Sequence, residues 1–202
     1  MNRLERALVE LDKDLREQGA RWALVGGLAM AARGVGRTTL DIDVAVAVAG
    51  DREAEQLVRA LRARGYSQAR DPREDRASGH LAMLGLFSRG SDPEQRVVID
   101  LLFALAGIES EVVAHAELLE VATDLALPVA VSGDLLAMKT LAGRPRDLED
   151  AEHLARLASA EDLAQARDAA QLVARRRPAD SDLPERLEEL LTRALRGAVE
   201  PS

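Results

Sequence analysis

The chain predicts an α/β protein, a small mixed β-sheet flanked by helices and followed by a helical C-terminal part. Three observations predict it. Leu4, Leu8, Leu11 and Leu15 recur at helical spacing near the start, with charges between them. Short apolar runs of strand length, at residues 22–25, 40–48 and 97–103, are separated by stretches of helical period. Beyond Ala160 the chain is Ala-rich and helical, and it closes on the stripe Leu183, Leu187, Leu190, Leu191 and Leu195. Residues 1–131 are expected to form the core that carries the sheet, and residues 132–202 a helical region packed on it.

Taken in order, the first helix runs from Leu4 to near Gly19 and should pack on the sheet. Residues 21–25 form a short apolar strand, which Gly26 and Gly27 turn into a helix that Gly34-Val35-Gly36 breaks. Residues 38–48 form the second strand, the longest β signal in the chain. Asp51 is placed to cap a helix whose apolar stripe is Ala54, Leu57, Val58 and Leu61 and which ends at Gly65. Residues 66–69 suit a short strand, and residues 70–79, RDPREDRASG, an exposed loop that is either solvated or carries substrate contacts. Residues 80–88 and 95–105 are two strands joined by a turn-rich linker, hence a hairpin. Residues 108–119 read as a helix, followed by irregular chain with β character as far as Val131. Ser132 is placed to cap a helix over 134–141, which Gly143-Arg144-Pro145 stops, and Pro145 opens the next over 146–158. A further helix spans 162–175. The run Arg175-Arg176-Arg177 at its end suits a solvated helix terminus or an RNA contact. The last helix starts at Asp182 with Pro184 just inside.

Composition narrows the class. Hydrophobic residues make up 47% and charged residues 31%, as expected for a globular chain that buries a real core. Aromatics are only 2%, so that core must be built of Leu, Val and Ala. Cysteine is absent, which excludes disulfides and thiolate metal sites. Residues 1–18 are charged throughout and carry no signal pattern, and no apolar run approaches membrane-spanning length, so a cytoplasmic protein with no membrane partner is expected. The net charge of −8 has the wrong sign for general nucleic-acid binding, although a local arginine patch can act within an acidic whole. Arginine is abundant while lysine occurs only at Lys13 and Lys139, which reads as a compositional bias yet makes Lys139 conspicuous.

The chemistry concentrates between Gly26 and Val48. In a strand Asp41 and Asp43 project from one face, with Ile42 on the other. Two close carboxylates repel each other, and a divalent cation such as Mg²⁺ is the usual reason to keep them. Gly26 and Gly27, lacking side chains at a strand-to-helix turn, let the backbone approach an anion. A phosphate cradle followed by a metal-binding carboxylate pair points to a nucleoside triphosphate with its Mg²⁺. Asp100 stands alone in the apolar run 97–103, where an unpaired carboxylate is costly to bury. It either caps a turn at a sheet edge or faces Asp41 and Asp43.

Gly26-Gly27, thirteen residues, then Asp41-x-Asp43 resembles the signature of the polymerase-β-type nucleotidyltransferases. Segment 37–43, RTTLDID, resembles more narrowly the Arg-x-Ser/Thr-x-Asp-Ile-Asp block of the AbiEii-type nucleotidyltransferases, many of them toxins of toxin–antitoxin pairs. A second block, 135–150, resembles that family's Leu-x-x-Lys followed by Arg-x-Lys-Asp-x-x-Asp, with Lys139, Arg144, Asp147 and Asp150 matching and Arg146 standing where Lys is common. The resemblance covers roughly residues 22–154.

It implies a nucleotidyltransferase fold with residues 1–131 as the catalytic core. The reaction implied moves NMP from an NTP such as ATP to an acceptor hydroxyl, with two Mg²⁺ ions held by Asp41, Asp43 and Asp100. Asp100 could also take the hydroxyl proton. Gly26, Gly27 and Lys139 would hold the triphosphate, Arg37 and Thr39 would shape the nucleotide side, and Arg144, Asp147 and Asp150 would support the site. For Asp147 and Asp150 helix capping and a local ion pair, with Arg146 four residues before Asp150, serve equally well. A toxin of a type IV-like pair acting on tRNA or other RNA, with a cognate antitoxin, is the implied role. The alternatives are a nucleotidyltransferase for an antibiotic or other small molecule, and a non-catalytic nucleotide-binding relative. Other templates fail: Gly34-Val35-Gly36 lacks the third glycine of a dinucleotide site, Gly133 and Lys139-Thr140 lack phosphate-loop spacing, and His80, His115 and His153 lack metal-ligand spacing.

Overall fold

The computed structural model describes residues 1–36, 38–74, 81–90, 92–104 and 106–196. Among these, strands β1 (Arg21–Val25), β2 (Ile42–Ala47), β3 (Ser67–Gln68), β4 (Arg73–Glu74), β5 (Leu81–Phe87), β6 (Val98–Leu102), β7 (Glu117–Ala122) and β8 (Leu125–Val129) form one mixed sheet. Its order is β3-β5-β6-β2-β1-β8-β7, with β4 also paired to β5. The β2–β6 and β1–β8 pairs are parallel, and the other pairs are antiparallel. Strands β1, β2 and β6 are buried along almost their whole length, as central strands covered on both faces must be.

The first helix, α1 (Arg3–Glu17), begins with a capping box in which the Asn2 side chain accepts from the Glu5 N–H and the Glu5 carboxylate accepts from the Asn2 N–H. It buries Leu8, Leu11 and Leu15. Then come α2 (Gly26–Ala32), α3 (Asp51–Ala63) and α4 (Glu109–His115), the last packed on β2 and β1. The C-terminal part is α5 (Ser132–Ala142), α6 (Pro145–Leu157), α7 (Ala160–Arg176) and α8 (Leu183–Arg196). Helix α5 is packed against the other three and is buried nearly all round. That placement is why polar residues on it, Asp134 and Lys139, are buried and must be paired. One apolar core runs from Ala7 through the sheet to Ala194. Among the described residues no helix is long and apolar enough to cross a membrane.

Several local expectations are corrected. The strand expected over 38–48 is Ile42–Ala47, because its partner β1 ends where Val25 meets Asp43 and, among the described residues, no strand pairs with 38–41. Asp51 does not cap α3. The N-cap is Gly50, and the Asp51 carboxylate accepts from the Leu81 N–H instead. Helix α4 stops at His115. Leu118 and Leu119, expected in that helix, belong to β7, which forms a hairpin with β8 around Asp124 at φ 59°. Strand pairing overrides helical period there, as context does for short apolar runs. Ser132 lies inside α5 rather than capping it, and Val131 is the N-cap without a side-chain bond. The loop expected over 70–79 contains β4, and its residues 75–79 and His80 lie outside the described residues. Gly143, at φ 65°, ends α5 as expected, and Pro145 opens α6.

Candidate active site

The site is built at the edge shared by β1, β2 and β6. Asp43 on β2 and Asp100 on β6 are register partners in the parallel pair, so their carboxylates leave adjacent backbone positions on one face. Asp100 therefore faces the other acids and caps no turn. Asp41 lies one residue ahead of β2. On the other side Val25 pairs with Asp43, and the chain turns at once into α2. Gly26 makes that turn at φ 61°, and a Cβ on it would stand 2.0 Å from Asp43 Oδ2. Both the backbone angle and the space demand glycine. Gly27 is as tightly placed against Thr39, whose Cβ would lie 2.8 Å from an added side chain. The Thr39 hydroxyl donates to the Asp41 carbonyl at 3.3 Å.

Gly26, Gly27, Thr39, Asp41, Asp43, Asp100, Lys139, Arg144 and Asp147 all line one cavity of about 610 Å³. Val25, Met83, Leu102, Leu135 and Met138 supply its apolar wall. Of the other expected site residues, Asp150 lies behind Lys139, and Arg37 lies outside the described residues. Lys139 is buried, and its ammonium donates to Asp147 at 2.6 Å and to Asp150 at 3.0 Å. The ion pair expected between Arg146 and Asp150 is thus replaced by one reaching from α5 to α6. Arg146 instead approaches the Thr38 carbonyl at 3.4 Å. Arg144 is largely exposed, with its Nε 3.7 Å from Asp147.

Arg70, Arg73, Arg177 and Asp180 also line the cavity. The most consequential is Arg70, whose guanidinium donates to Asp100 at 2.5 Å and to Asp41 at 3.0 Å. Its signal in the sequence was Gly85, a bare position inside the apolar strand β5. Gly85 pairs with Asp100, and a Cβ there would meet the Arg70 Cβ at 2.7 Å. His115, given no role, bonds Asp134 at 3.0 Å through Nδ1.

Asp100 is 4% exposed, and its Oδ1 is buried without a hydrogen-bond partner. Burial pushes its pKa up to about 6, with Asp43 and Asp41 adding to the rise while Arg70 and Arg144 oppose it. An acid raised in this way holds its proton more tightly folded than unfolded. Stability is therefore lost as pH rises from its ordinary 3.8 through about 6. The metal-free protein is expected to lose up to about 3 kcal/mol from this group across that window. Asp100→Asn should remove that loss, read by denaturant unfolding at several pH values in chelator. An unchanged slope in the variant would contradict the assignment.

The donor set fits a hard divalent cation. Asp43 and Asp100 leave one face in register, Asp41 lines the same cavity, and Asp100 keeps a buried oxygen without a partner. Among the described residues no three acids are drawn together tightly enough to hold a metal as they stand, and the Arg70 guanidinium lies between two of them.

The fold has relatives of known structure. A Helicobacter pylori protein provisionally described as a nucleotidyltransferase superposes with TM-score 0.50 at 15% identity, covering 98% of this chain and 96% of its own. JHP933 from Helicobacter pylori gives TM-score 0.48 at 15% identity, over 95% and 88% of the two chains. A Thermotoga maritima protein, also provisionally described as a nucleotidyltransferase, gives TM-score 0.48 at 16% identity over 74% and 91%. No curated protein matches the sequence. The model of the family described as "Nucleotidyl transferase AbiEii toxin, Type IV TA system" matches residues 7–200, nearly the whole chain and both motif blocks. The chain belongs to the AbiEii nucleotidyltransferase family.

Proposed function

We propose that this cavity transfers NMP from an NTP to a hydroxyl of RNA, and that the protein is the toxin of a type IV-like pair with a cognate antitoxin. The observation that carries the reading is the register pairing of Asp43 with Asp100 beside the bare backbone of Gly26. The acceptor oxygen bonds to the α-phosphorus, the bond from that phosphorus to the bridging oxygen of the β-phosphate breaks, and pyrophosphate leaves. The hydroxyl proton passes to Asp100, the carboxylate that keeps one buried oxygen without a partner.

Asp41, Asp43 and Asp100 would hold the Mg²⁺ ions, which supply charge stabilisation for the attacking and leaving oxygens. Gly26 and Gly27, packed against Asp43 and Thr39, line the cavity where the triphosphate would lie. Lys139, whose ammonium is held by Asp147 and Asp150, ties α5 to α6 at the same wall. Arg144 stands exposed beside it. Thr39, with Arg37, would shape the nucleotide side.

RNA as acceptor is supported by Arg73 and Arg144, which stand exposed at the cavity of an otherwise acidic protein. Contacts of that kind release counterions, so RNA labelling should fall steeply as salt rises. The test incubates the protein and Asp41→Asn with labelled NTPs and total RNA, tRNA included, at low and moderate salt. Label in RNA from the parent alone, declining with salt, is expected. No label in RNA, with NTP binding intact, would move the acceptor to a small molecule.

A further inference from the structure

Arg70 is placed by more than its two acids. The N–H groups of Ala69 and Arg70 both donate to the Gly85 carbonyl, at 2.9 and 3.2 Å, which seats the start of the side chain on β5. The missing side chain at Gly85 leaves room for its stem. From there the guanidinium spans Asp41, ahead of β2, and Asp100, on β6. The Arg70 side chain is nonetheless 46% exposed, so it can leave towards solvent without opening the core.

Asp41, Asp43 and Asp100 all line one cavity, and Asp100 is buried. Such a group needs a nearby positive charge. A guanidinium meets that need with a planar fork that suits two carboxylates. A dication on the same oxygens would stand against the guanidinium, and like charges at contact distance repel. The two cations therefore compete for the carboxylates, Arg70 holding one oxygen each of Asp41 and Asp100.

We propose that Arg70 is the resting counter-ion of the carboxylate site, displaced when a divalent ion binds and then available to the phosphates of the incoming NTP. The proposal rests on the nucleotidyl-transfer reading above. It makes metal and nucleotide help each other: the metal frees the guanidinium, and the triphosphate gives it new oxygen acceptors. A residue that merely props the acids in place for the metal would have the opposite effect, since its loss would weaken metal binding.

Calorimetric titration with Mn²⁺, with and without a non-hydrolysable NTP analogue, separates these cases. Arg70→Met should bind Mn²⁺ about two- to fivefold more tightly than the parent without nucleotide, the scale of a half-exposed ion pair no longer competing. It should also lose most of the gain in Mn²⁺ affinity that the analogue gives the parent. Arg70→Lys, which keeps the charge but not the fork, should fall between the two. Asp43→Asn should lose Mn²⁺ binding. If Asp43→Asn loses Mn²⁺ while Arg70→Met binds it equally or more weakly than the parent, the counter-ion role is wrong and the metal site stands. If Asp43→Asn and the parent bind Mn²⁺ alike, or neither binds it, the carboxylate site itself is wrongly assigned and the proposal falls with it.

Discussion

Asp43→Asn is expected to lower nucleotidyl transfer by roughly 10³-fold or more, the scale of losing a group that stabilises charge developing in the transition state. The same variant should melt at or above the temperature of the parent when metal is absent. Asp43 sits in register with Asp100 and close to Asp41, so neutralising it relieves repulsion among three acids. The amide is nearly isosteric, which spares the tight fit against Gly26. Steady-state transfer and thermal unfolding in chelator measure the two halves together. A variant that unfolds at a lower temperature would make Asp43 a structural residue, and one that keeps near-normal transfer would remove it from the chemistry.

Lys139→Met should act in the opposite sense on stability. Its ammonium is the shared partner of Asp147 and Asp150, and all three side chains are almost wholly buried. Removing one member of a buried charge cluster costs about 3–5 kcal/mol, because the two buried carboxylates lose their shared ammonium. Transfer per folded molecule should also fall, since Lys139 lines the cavity beside the acids. Neutralising the partners in the same chain, Lys139→Met with Asp147→Asn and Asp150→Asn, should recover much of the lost stability but not the lost transfer. Urea unfolding with assays on the folded fraction tests this. Full recovery of transfer in the triple variant would make the cluster purely structural, and a single variant within about 1 kcal/mol of the parent would show that the ion pairs carry little.

The parts of the site that were legible in the sequence are those whose geometry is local. Gly26 and Gly27, followed after a fixed interval by Asp41 and Asp43, announce a strand, a tight turn and an acid-bearing strand, and the structure has all three, with Asp43 on the strand and Asp41 one residue ahead of it. Asp100 was legible as an anomaly, a carboxylate in an apolar run, but which way it faced depended on the parallel pairing of β6 with β2. Arg70 was hidden because it comes from a polar stretch that resembles any solvated loop. Only its fit over Gly85, on a strand that pairs antiparallel with β6, brings it to the acids. Asp147 and Asp150 were legible as a pair on one helical face, yet their shared partner was not. Nearness along the chain favoured Arg146, whereas the packing of α5 against α6 brings Lys139. The β7–β8 hairpin was read partly as helix for a similar reason, since the pairing that decides it lies across a turn.

The most direct test of nucleotidyl transfer follows the two ends of the triphosphate in one reaction. NTP labelled at the α-phosphate and NTP labelled at the γ-phosphate are incubated in parallel with the protein and total RNA, and acceptor and released phosphates are separated. The α-label is expected in the acceptor and the γ-label in free pyrophosphate, in equal amounts, with both lost in Asp43→Asn. The γ-label in the acceptor, or free phosphate released with no α-label transferred, would contradict nucleotidyl transfer at this site.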